Sequence, residues 1–364
     1  MLVIKDEAKI NIDYPIEKFA KKDKILYFDI ETTGLSRKYC SIYLIGAMYF
    51  DDGEWMYAQW FADNYNDEAN VIMAFQKFIK DYDCLIHFNG NSFDIPFVKD
   101  RAEKYNIDLD LDRLKSVDIY KDISSLKNIL NLPNLKQITL EEAIGIKRSD
   151  PFSGGELVEV YKEYVRTKDQ KLIYPLLLHN REDVLYMGKI TEHLSLYDFF
   201  NGDFSIRDWS ISSYKDFEGL DKNELVINLE SESSNSITNK DISFNSDNIS
   251  IIIRDNKCQL KIKTFDGTLK LFFDNYKDYY YLPAEDKAIH KSVSQFVDKE
   301  HRVQAKASTC YEKIEDSFIL CPSNMEIKYV FKDDYKSKNT YIRISDITDE
   351  NIESYINIVF KEII

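Results

Sequence analysis

The stretch Ile25-Leu-Tyr-Phe-Asp29-Ile-Glu31-Thr-Thr-Gly34 is an apolar, aromatic and β-branched run that carries two carboxylates near its end. This composition predicts a β-strand, in which successive side chains point to opposite faces. Asp29 and Glu31 then share one face and lie about 7 Å apart along the strand. Two such anions with no Lys or Arg beside them repel each other, which favours a hard cation between them. The alternative is a pair of strand-end carboxylates that point into water.

The segments that follow predict an α/β fold. Residues 42–50 and 55–62 are also rich in aromatic and β-branched residues, and the Asp51-Asp52-Gly53 turn between them predicts a hairpin. Beyond the hairpin, helical patterns alternate with short apolar strands, which implies a mixed sheet flanked by helices. The helical patterns span about 68–81, 95–105 and 168–198, and the strands lie at 84–88 and just before Asp118.

Length and composition predict two folded domains. The chain has 364 residues, of which 44% are hydrophobic, and a domain typically takes about 100–200 residues. Five cysteines without a CxxC pair argue against a disulfide framework and a zinc ribbon. Short strand patterns replace the long helix beyond Phe200. We therefore expect an α/β domain over residues 1–200 and a β-rich domain over residues 201–364, with a Ser- and Asn-rich loop or ragged edge at 231–250.

The charge balance limits the kinds of partner. Forty-eight Lys and Arg against 63 Asp and Glu give a net charge of −15, which argues against a broad basic surface for nucleic acid but leaves room for a small local site. No run reaches the roughly 18 apolar residues that a membrane span needs, and the first residues lack the pattern of a signal peptide. We expect a cytoplasmic protein with no membrane partner.

A second candidate segment is Asn89-Gly-Asn-Ser-Phe93-Asp94-Ile-Pro96, between an apolar strand and the start of a helix. Open α/β sheets place their sites where strands lead into helices, which favours a functional carboxylate at Asp94. Asp94 can equally cap the helix, and Phe93 can be a core residue. The sequence leaves both interpretations open.

A third segment, His179-Asn-Arg-Glu-Asp183, lies within the helical pattern. His179 and Asp183 are one turn apart on a stripe that is otherwise apolar. Burying an imidazole and a carboxylate is costly unless they bond each other or meet a cation. The segment therefore predicts either a core histidine satisfied by Asp183 or part of a metal or catalytic site.

In this order and spacing, the three segments resemble the exonuclease motifs of the DEDD superfamily, which has a ribonuclease H-like fold. The chain is similar to the YprB-like ribonuclease H-like proteins and, more distantly, to the proofreading domain of family B DNA polymerases. The resemblance covers roughly residues 20–198. It implies an α/β, ribonuclease H-like mixed sheet flanked by helices, and an enzyme of the DEDD type. Such an enzyme is a metal-dependent 3′–5′ exonuclease that hydrolyses phosphodiester bonds at single-stranded DNA or RNA ends.

The resemblance also implies roles for individual residues. Two ions, Mg²⁺ or Mn²⁺, would bind: one to Asp29, Glu31 and Asp183, and the other to Asp29 and, partly through water, to Asp94. His179 would orient or deprotonate the attacking water. The substrate-binding residues that the resemblance suggests are Thr32, Gly34, Leu35, Asn89 and Phe93.

A second hypothesis is a ribonuclease H-like module that has lost activity and binds nucleic acid or a protein partner. The superfamily usually has a tyrosine four residues, or a histidine five residues, before its last aspartate. Here His179 stands four residues before Asp183. This spacing and the net charge favour the binding module, whereas the intact set of carboxylates opposes it.

Overall fold

The computed structural model describes residues 1–215, 218–233, 236–238 and 240–364. It divides into two compact units, the first made of Met1–Tyr197 with Thr238–Lys240 and the second of Asp198–Ile237 with Asp241–Ile364. None of the helices in the described ranges has both the length and the apolarity needed to cross a membrane.

A six-stranded mixed sheet lies at the centre of the first unit. Its strands are β1 (Leu2–Glu7), β2 (Ile25–Thr32), β3 (Ile42–Asp51), β4 (Glu54–Phe61), β5 (Cys84–His87) and β6 (Lys115–Asp118). The strand order is β1-β4-β3-β2-β5-β6, and β2 pairs antiparallel with β3 and parallel with β5. The mixed sheet expected from the sequence is confirmed, and β1 is an additional strand at its edge.

Helices flank this sheet. They are α1 (Glu68–Phe78), α2 (Asp94–Lys104), α3 (Ile119–Ser124), α4 (Lys127–Leu130), α5 (Gln137–Ala143), α6 (Gly154–Thr167) and α7 (Ile173–Ile190), followed by α8 (Leu194–Phe200). The single helix predicted over 168–198 is wrong at both ends, because a 3₁₀ turn at Gln170–Leu172 precedes α7 and another at Thr191–His193 separates α7 from α8. Pro175 lies in the first turn of α7, where its missing N–H removes no intrahelical hydrogen bond.

Strand β2 is buried on both faces. Leu26 and Phe28 belong to an apolar core that includes α1 and α2, whereas Tyr27 belongs to a second core that includes α7. Because side chains alternate along a strand, Asp29 and Glu31 point to the same side as Tyr27. The two carboxylates therefore face α7.

The second unit is rich in strands, as expected. Its elements are β7 (Phe204–Lys215), β8 (Asp221–Ser231), β9 (Ile242–Asn245), β10 (Ile249–Arg254), β11 (Lys257–Lys263), β12 (Phe265–Phe272), β13 (Tyr279–Leu282), β14 (Lys287–His290), β15 (Val303–Gln304), β16 (Tyr311–Leu320), β17 (Phe331–Lys332), β18 (Tyr341–Arg343) and α9 (Ile352–Ile363). A five-stranded sheet has the order β7-β8-β11-β10-β9, a small closed sheet the order β12-β16-β18-β17, and a three-stranded sheet the order β14-β13-β15. The predicted loop at 231–250 contains β9, and residues 234, 235 and 239 of it lie outside the described residues.

A buried ion pair ties α1 to α2 beneath the sheet of the first unit. Arg101 donates two hydrogen bonds to Glu68, at 2.7 and 2.5 Å, and both side chains are almost fully buried. Glu68 also accepts from the backbone N–H of Ile42 and the hydroxyl of Tyr105. Each oxygen of Glu68 is satisfied by several donors, and Arg101 supplies the positive charge that compensates the burial of the carboxylate.

Replacement of Arg101 by methionine should lower the free energy of unfolding by about 3–5 kcal/mol, because it leaves the Glu68 carboxylate buried without its cation. Urea denaturation followed by circular dichroism measures this loss. The control is Arg37→Met, since Arg37 and Asp100 are half exposed and 3.4 Å apart, and an exposed pair contributes less than about 1 kcal/mol. Equal losses in the two variants would contradict the importance of the buried pair.

Candidate active site

A cavity of about 620 Å³ lies beside the last residues of β2. Its lining includes Asp29 and Glu31 of β2, Asp94 of α2, and His179 and Asp183 of α7. Side chains from three distant segments of the chain therefore meet in one cavity.

Burial, and after it mutual repulsion, opposes ionisation of the carboxylates in this cluster. Burial, together with the charges of the other three carboxylates, raises the pKa of Asp29 well above its usual range. Burial likewise raises the pKa of Glu31 to about 8 and that of Asp94 to about 7. No Lys or Arg in the described ranges forms an ion pair with Asp29, Glu31 or Asp94. A cation in the cavity would favour the ionised form of all three.

The donor set fits a divalent cation. Glu31, His179 and Asp183 each offer a ligand atom, and these atoms lie within 4.8 Å of one another. Carboxylate oxygens suit Mg²⁺ and Mn²⁺, and imidazole nitrogen is a ligand for many transition metals. The resemblance implied that Asp29, Glu31 and Asp183 bind one ion. In the structure, the group of neighbouring ligand atoms contains His179 in place of Asp29.

The Asp94 carboxylate is linked to β2 by a hydrogen bond. Asp94 is the first residue of α2, and its Oδ1 accepts a hydrogen bond from the backbone N–H of Ile30 at 3.2 Å. Phe93 occupies the N-cap position, where no side chain bonds the helix. The link to Ile30 holds the Asp94 carboxylate at the strand that carries Asp29 and Glu31.

His179 has two different environments at its two ring nitrogens. Nδ1 lies 2.5 Å from Asp150 Oδ2, while Nε2 lies 3.3 Å from Asp183 Oδ2 and 3.8 Å from Glu31 Oε1. Although burial alone lowers it, these carboxylates raise the pKa of His179 above its ordinary value. Asp150 was not predicted from the sequence, and it is the nearest hydrogen-bond partner of the imidazole.

Arg148 partly neutralises the cluster at Asp183. Its guanidinium bonds Glu141 through two nitrogens and lies 2.6 Å from Asp183 Oδ1. The other oxygen of Asp183 faces His179. Arg148 and Asp150 both come from the loop after α5, where Gly145 and Pro151 enclose a short charged stretch. This charged stretch is the sequence feature that could have indicated a role for both residues.

The structure separates the predicted substrate-binding residues into two sets. Asn89 and Phe93 line the cavity. Thr32, Gly34 and Leu35 are not part of its lining in the described residues: the Thr32 hydroxyl donates to the backbone oxygen of Gly34, and the Leu35 side chain is 85% exposed. Further lining residues that the sequence did not indicate are Ile30, Phe88, Tyr120, Lys127, Asn134, Leu135 and Lys136.

Hydrogen bonds to Asp118 and His87 fix the loop that carries Asn89. Asp118 accepts hydrogen bonds from the backbone N–H groups of Asn89 and Asn91, and Nδ1 of the buried His87 accepts from the N–H of Gly90. Asn89 has a φ of 59°, a left-handed conformation that asparagine adopts more readily than most residues. These bonds fix the turn between β5 and α2.

Comparison with known families agrees with this architecture. Residues 26–195 match the family model described as the RNase H superfamily. The first unit has an RNase H-like fold. The fold that the three motifs predicted is therefore confirmed, and the matched residues contain all of the acidic positions described above.

Curated relatives of the chain include two DNA polymerases. One, from Ostreid herpesvirus 1 (isolate France), is 43% identical over 51 residues, which are 14% of this chain and 3% of the polymerase. The other, from Archaeoglobus fulgidus, is 28% identical over 146 residues, covering 35% of this chain and 18% of the polymerase. The chain thus spans less than a fifth of the length of either relative.

Similar solved structures include a family B DNA polymerase from Pyrobaculum calidifontis, with 14% identity, a TM-score of 0.40, and coverage of 71% of this chain and 36% of that chain. E. coli Exonuclease I in complex with a dT13 oligonucleotide is 12% identical, with a TM-score of 0.32 and coverage of 57% of this chain and 55% of that chain.

A chain of amides positions Asp29 in the RNase H-like unit. Asn180 donates to Asp29 Oδ2 at 2.9 Å, and Gln59 donates to Asn180 Oδ1 at 3.0 Å. Gly46 lies opposite Asp29 in the sheet, and a Cβ there would come within 2.1 Å of Asn180 Oδ1. Because Gly46 has no side chain, the Asn180 amide can occupy the space beside it.

Replacement of Gly46 by alanine should lower the free energy of unfolding by about 1–3 kcal/mol, because the added methyl group displaces Asn180 from Asp29. In an Asn180→Ala background the same change should cost less by about 1 kcal/mol or more, since the clashing amide is gone. A double-mutant cycle of urea denaturation curves measures this coupling. The control Gly155→Ala meets no atom within 4 Å and should be nearly neutral. Additive losses at Gly46 and Asn180 would contradict the steric argument.

His87, which accepts a hydrogen bond from the Gly90 N–H in the loop that carries Asn89, should make the free energy of unfolding depend on pH. Burial lowers the pKa of His87 to about 4, so the folded imidazole stays neutral while the unfolded one protonates near pH 6.5. The folded state is therefore progressively destabilised as the pH falls from about 6.5 to 4, by up to about 3 kcal/mol. The test compares the pH dependence of unfolding in the wild type and in His87→Asn, whose amide accepts from Gly90 but does not titrate.

The curves of wild type and His87→Asn should converge as the pH falls through this window. His301→Asn is the control, because His301 is exposed and should leave the pH dependence unchanged. Parallel curves for the wild type and His87→Asn between pH 6.5 and 4 would be evidence against the buried neutral imidazole.

Proposed function

We propose that this chain is a metal-dependent 3′–5′ exonuclease that hydrolyses phosphodiester bonds at single-stranded DNA or RNA ends. The RNase H-like fold and relatives named DNA polymerase support nuclease activity in general. The observation that carries the proposal is the meeting of Asp29, Glu31, Asp94 and Asp183 in one cavity. Carboxylates that repel one another lower the stability of the fold, and divalent cations would relieve that repulsion.

Two divalent ions, Mg²⁺ or Mn²⁺, would be held by Asp29, Glu31, Asp94 and Asp183. When bound, such a pair stabilises the attacking and leaving oxygens of a phosphodiester hydrolysis and lowers the pKa of water. The chain's own contribution is to keep the carboxylates in place: Asn180 orients Asp29, Ile30 orients Asp94, and Arg148 holds one oxygen of Asp183.

His179 is the residue proposed to accept the proton of the attacking water. The Asp150 carboxylate at Nδ1 favours the tautomer with the proton on that nitrogen, which leaves the Nε2 lone pair directed toward Glu31 and Asp183. A neutral imidazole is a suitable general base near pH 7, and cations bound to Glu31 and Asp183 would offset the carboxylate charges that raise the pKa of His179. Asp150 acts through His179 and is therefore a positioning residue.

The remaining walls of the cavity suit the end of a nucleic acid strand. Phe88, Phe93 and Tyr120 contribute aromatic rings, and the rings of Phe88 and Tyr120 are 5.5 Å apart. Lys127 and Lys136 contribute positive charge on the same cavity, where they can meet phosphates. Stacking on aromatic rings tolerates any base, which fits removal of nucleotides without regard to sequence.

Incubation of a 5′-labelled single-stranded oligonucleotide with the protein and Mn²⁺ or Mg²⁺ should give a ladder of progressively shorter labelled products. Asp29→Ala should abolish the ladder because it removes a carboxylate shared by both proposed ions. His179→Gln should slow the reaction about 10²- to 10⁴-fold, the usual contribution of a general base. Denaturing gels with DNA and RNA substrates measure both effects.

The matched control is Asp112→Ala, because the Asp112 side chain is 86% exposed and its change should leave the ladder intact. A ladder that persists in Asp29→Ala refutes the site. Cleavage of circular single-stranded DNA would show an endonuclease instead. Absence of hydrolysis and of Mn²⁺ binding by calorimetry, with nucleic acid binding retained, would favour the binding module.

A further inference from the structure

The second unit has a cleft of about 570 Å³ that is separate in sequence from the residues of the acidic cavity. It adjoins the end of β12 in the small closed sheet and the segment around β17. The residues that line this aromatic cleft are Leu271, Phe272, Phe273, Asp274, Asn275, Tyr279, Lys328, Tyr329, Val330, Lys332 and Tyr335.

The aromatic rings of the cleft contact one another yet remain partly exposed. The rings of Phe273 and Tyr279 are stacked with centroids 4.8 Å apart, and those of Phe272 and Tyr335 meet edge to face with centroids 5.5 Å apart. Tyr335 keeps 45% of its surface exposed, and Tyr329 keeps 37%. Exposed tyrosine rings beside a cleft offer flat apolar faces to a ligand that is itself flat.

A row of lysines crosses the strands beside these rings. Lys270 of β12 stands directly opposite Lys313 of β16 and opposite Lys332 of β17. Lys313 is paired with Asp286, whereas Lys270 and Lys332 have no ion-pair partner in the described part of the chain. Like charges opposite each other in a sheet are destabilising, so an anion between Lys270 and Lys332 would relieve their repulsion.

The charged residues that line the cleft also favour an anionic ligand. Lys328 and Lys332 contribute ammonium groups to its lining and Asp274 contributes a carboxylate, although the whole chain carries a net charge of −15. Exposed rings beside ammonium groups that form no ion pair with the described residues match a ligand that carries both flat bases and phosphates. An acidic peptide would satisfy the lysines but leave the exposed rings of Tyr329 and Tyr335 without a flat partner.

We propose that the aromatic cleft binds an unpaired segment of a nucleic acid strand, with a base against the exposed ring of Tyr335 and a phosphate between Lys332 of the cleft and Lys270 on the neighbouring strand. This site is additional to the acidic cavity and does not require hydrolysis there. Its affinity should be modest and should fall as salt rises, since phosphate contacts release counterions.

The test uses the full chain carrying Asp29→Asn, in EDTA, with fluorescein-labelled oligothymidylate and fluorescence anisotropy. In EDTA no divalent cation can link phosphate to the acidic cavity, and the variants of Tyr335 and Lys332 assign the remaining binding to the aromatic cleft. Tyr335→Ala should raise Kd about 5- to 100-fold, and Tyr335→Phe should keep the parent Kd because it keeps the ring. Lys332→Ala should raise Kd and lower the slope of log Kd against log salt by about 0.7.

Two variants on the same unit serve as controls. Phe296→Ala removes a ring that is 81% exposed, and Lys222→Ala removes an exposed lysine of β8; both should bind like the parent. Equal binding by the cleft variants and the parent overturns the proposal, as does an equal loss in the two controls. Displacement of the oligonucleotide by polyglutamate of the same length at equal concentration would show that charge alone is recognised, which also overturns it.

Failure of this proposal is distinguishable from failure of the proposed nuclease. The binding test uses an inactivated chain, so it gives the same answer whether or not the wild type hydrolyses nucleic acid. Conversely, loss of binding at the aromatic cleft leaves the Asp29→Ala comparison on labelled oligonucleotides interpretable. Photocrosslinking of bound thymines to peptides containing Tyr335 is expected, and crosslinks confined to the first unit contradict the site.

Discussion

Carboxylates from β2, α2 and α7 repel one another inside a single cavity, and the rest of the first unit has to hold them against that repulsion. Two apolar cores, one on each face of β2, supply the cohesion, because they fix the strand and α7 independently of the acidic groups. Specific hydrogen bonds then set the direction of each carboxylate. Asp29 depends on Asn180, and Asp94 depends on the backbone of Ile30. The raised pKa values of Asp29 and Asp94 show that this arrangement disfavours their ionised forms.

Helix α7 connects most of these interactions. Four polar side chains within five consecutive residues are directed to different parts of the unit, and each satisfies a group that would otherwise be buried without a partner. His179 meets Asp150, Asn180 meets Asp29, Glu182 accepts from the backbone N–H groups of Ser149 and Asp150, and Asp183 meets Arg148. The loop at residues 148–150 is thus held by the same helix that faces the cavity.

Local patterns were sufficient to predict the central strand and its two carboxylates. Alternation along β2 places Asp29 and Glu31 on one face, and this follows from backbone geometry alone. The spacing of His179 and Asp183 predicted a polar pair on one face of a helix for the same reason. Their meeting with Asp94 depends on strand order, which no local pattern contains, and was expected only from the resemblance to a known family.

Other parts of the site lay beyond such reasoning. Arg148 and Asp150 belong to a loop without periodicity, so nothing in their immediate sequence indicates which side chains they contact. Asn180 is adjacent to His179 in sequence, but its role depends on the absence of a side chain at Gly46, more than a hundred residues earlier. The closed sheet of the second unit joins β12 to β16 and β17 across long intervening segments, which short strand patterns cannot pair.

The concentration of contacts on α7 constrains how its sequence can change. Each residue of an α-helix is turned by about 100° from the one before, so a single inserted residue ahead of His179 would rotate all the following side chains together. Every one of the four partners would be lost at once, and no compensating change elsewhere could restore them singly. A substitution in this helix changes one contact at a time, whereas an insertion or deletion between Pro175 and His179 changes all four together.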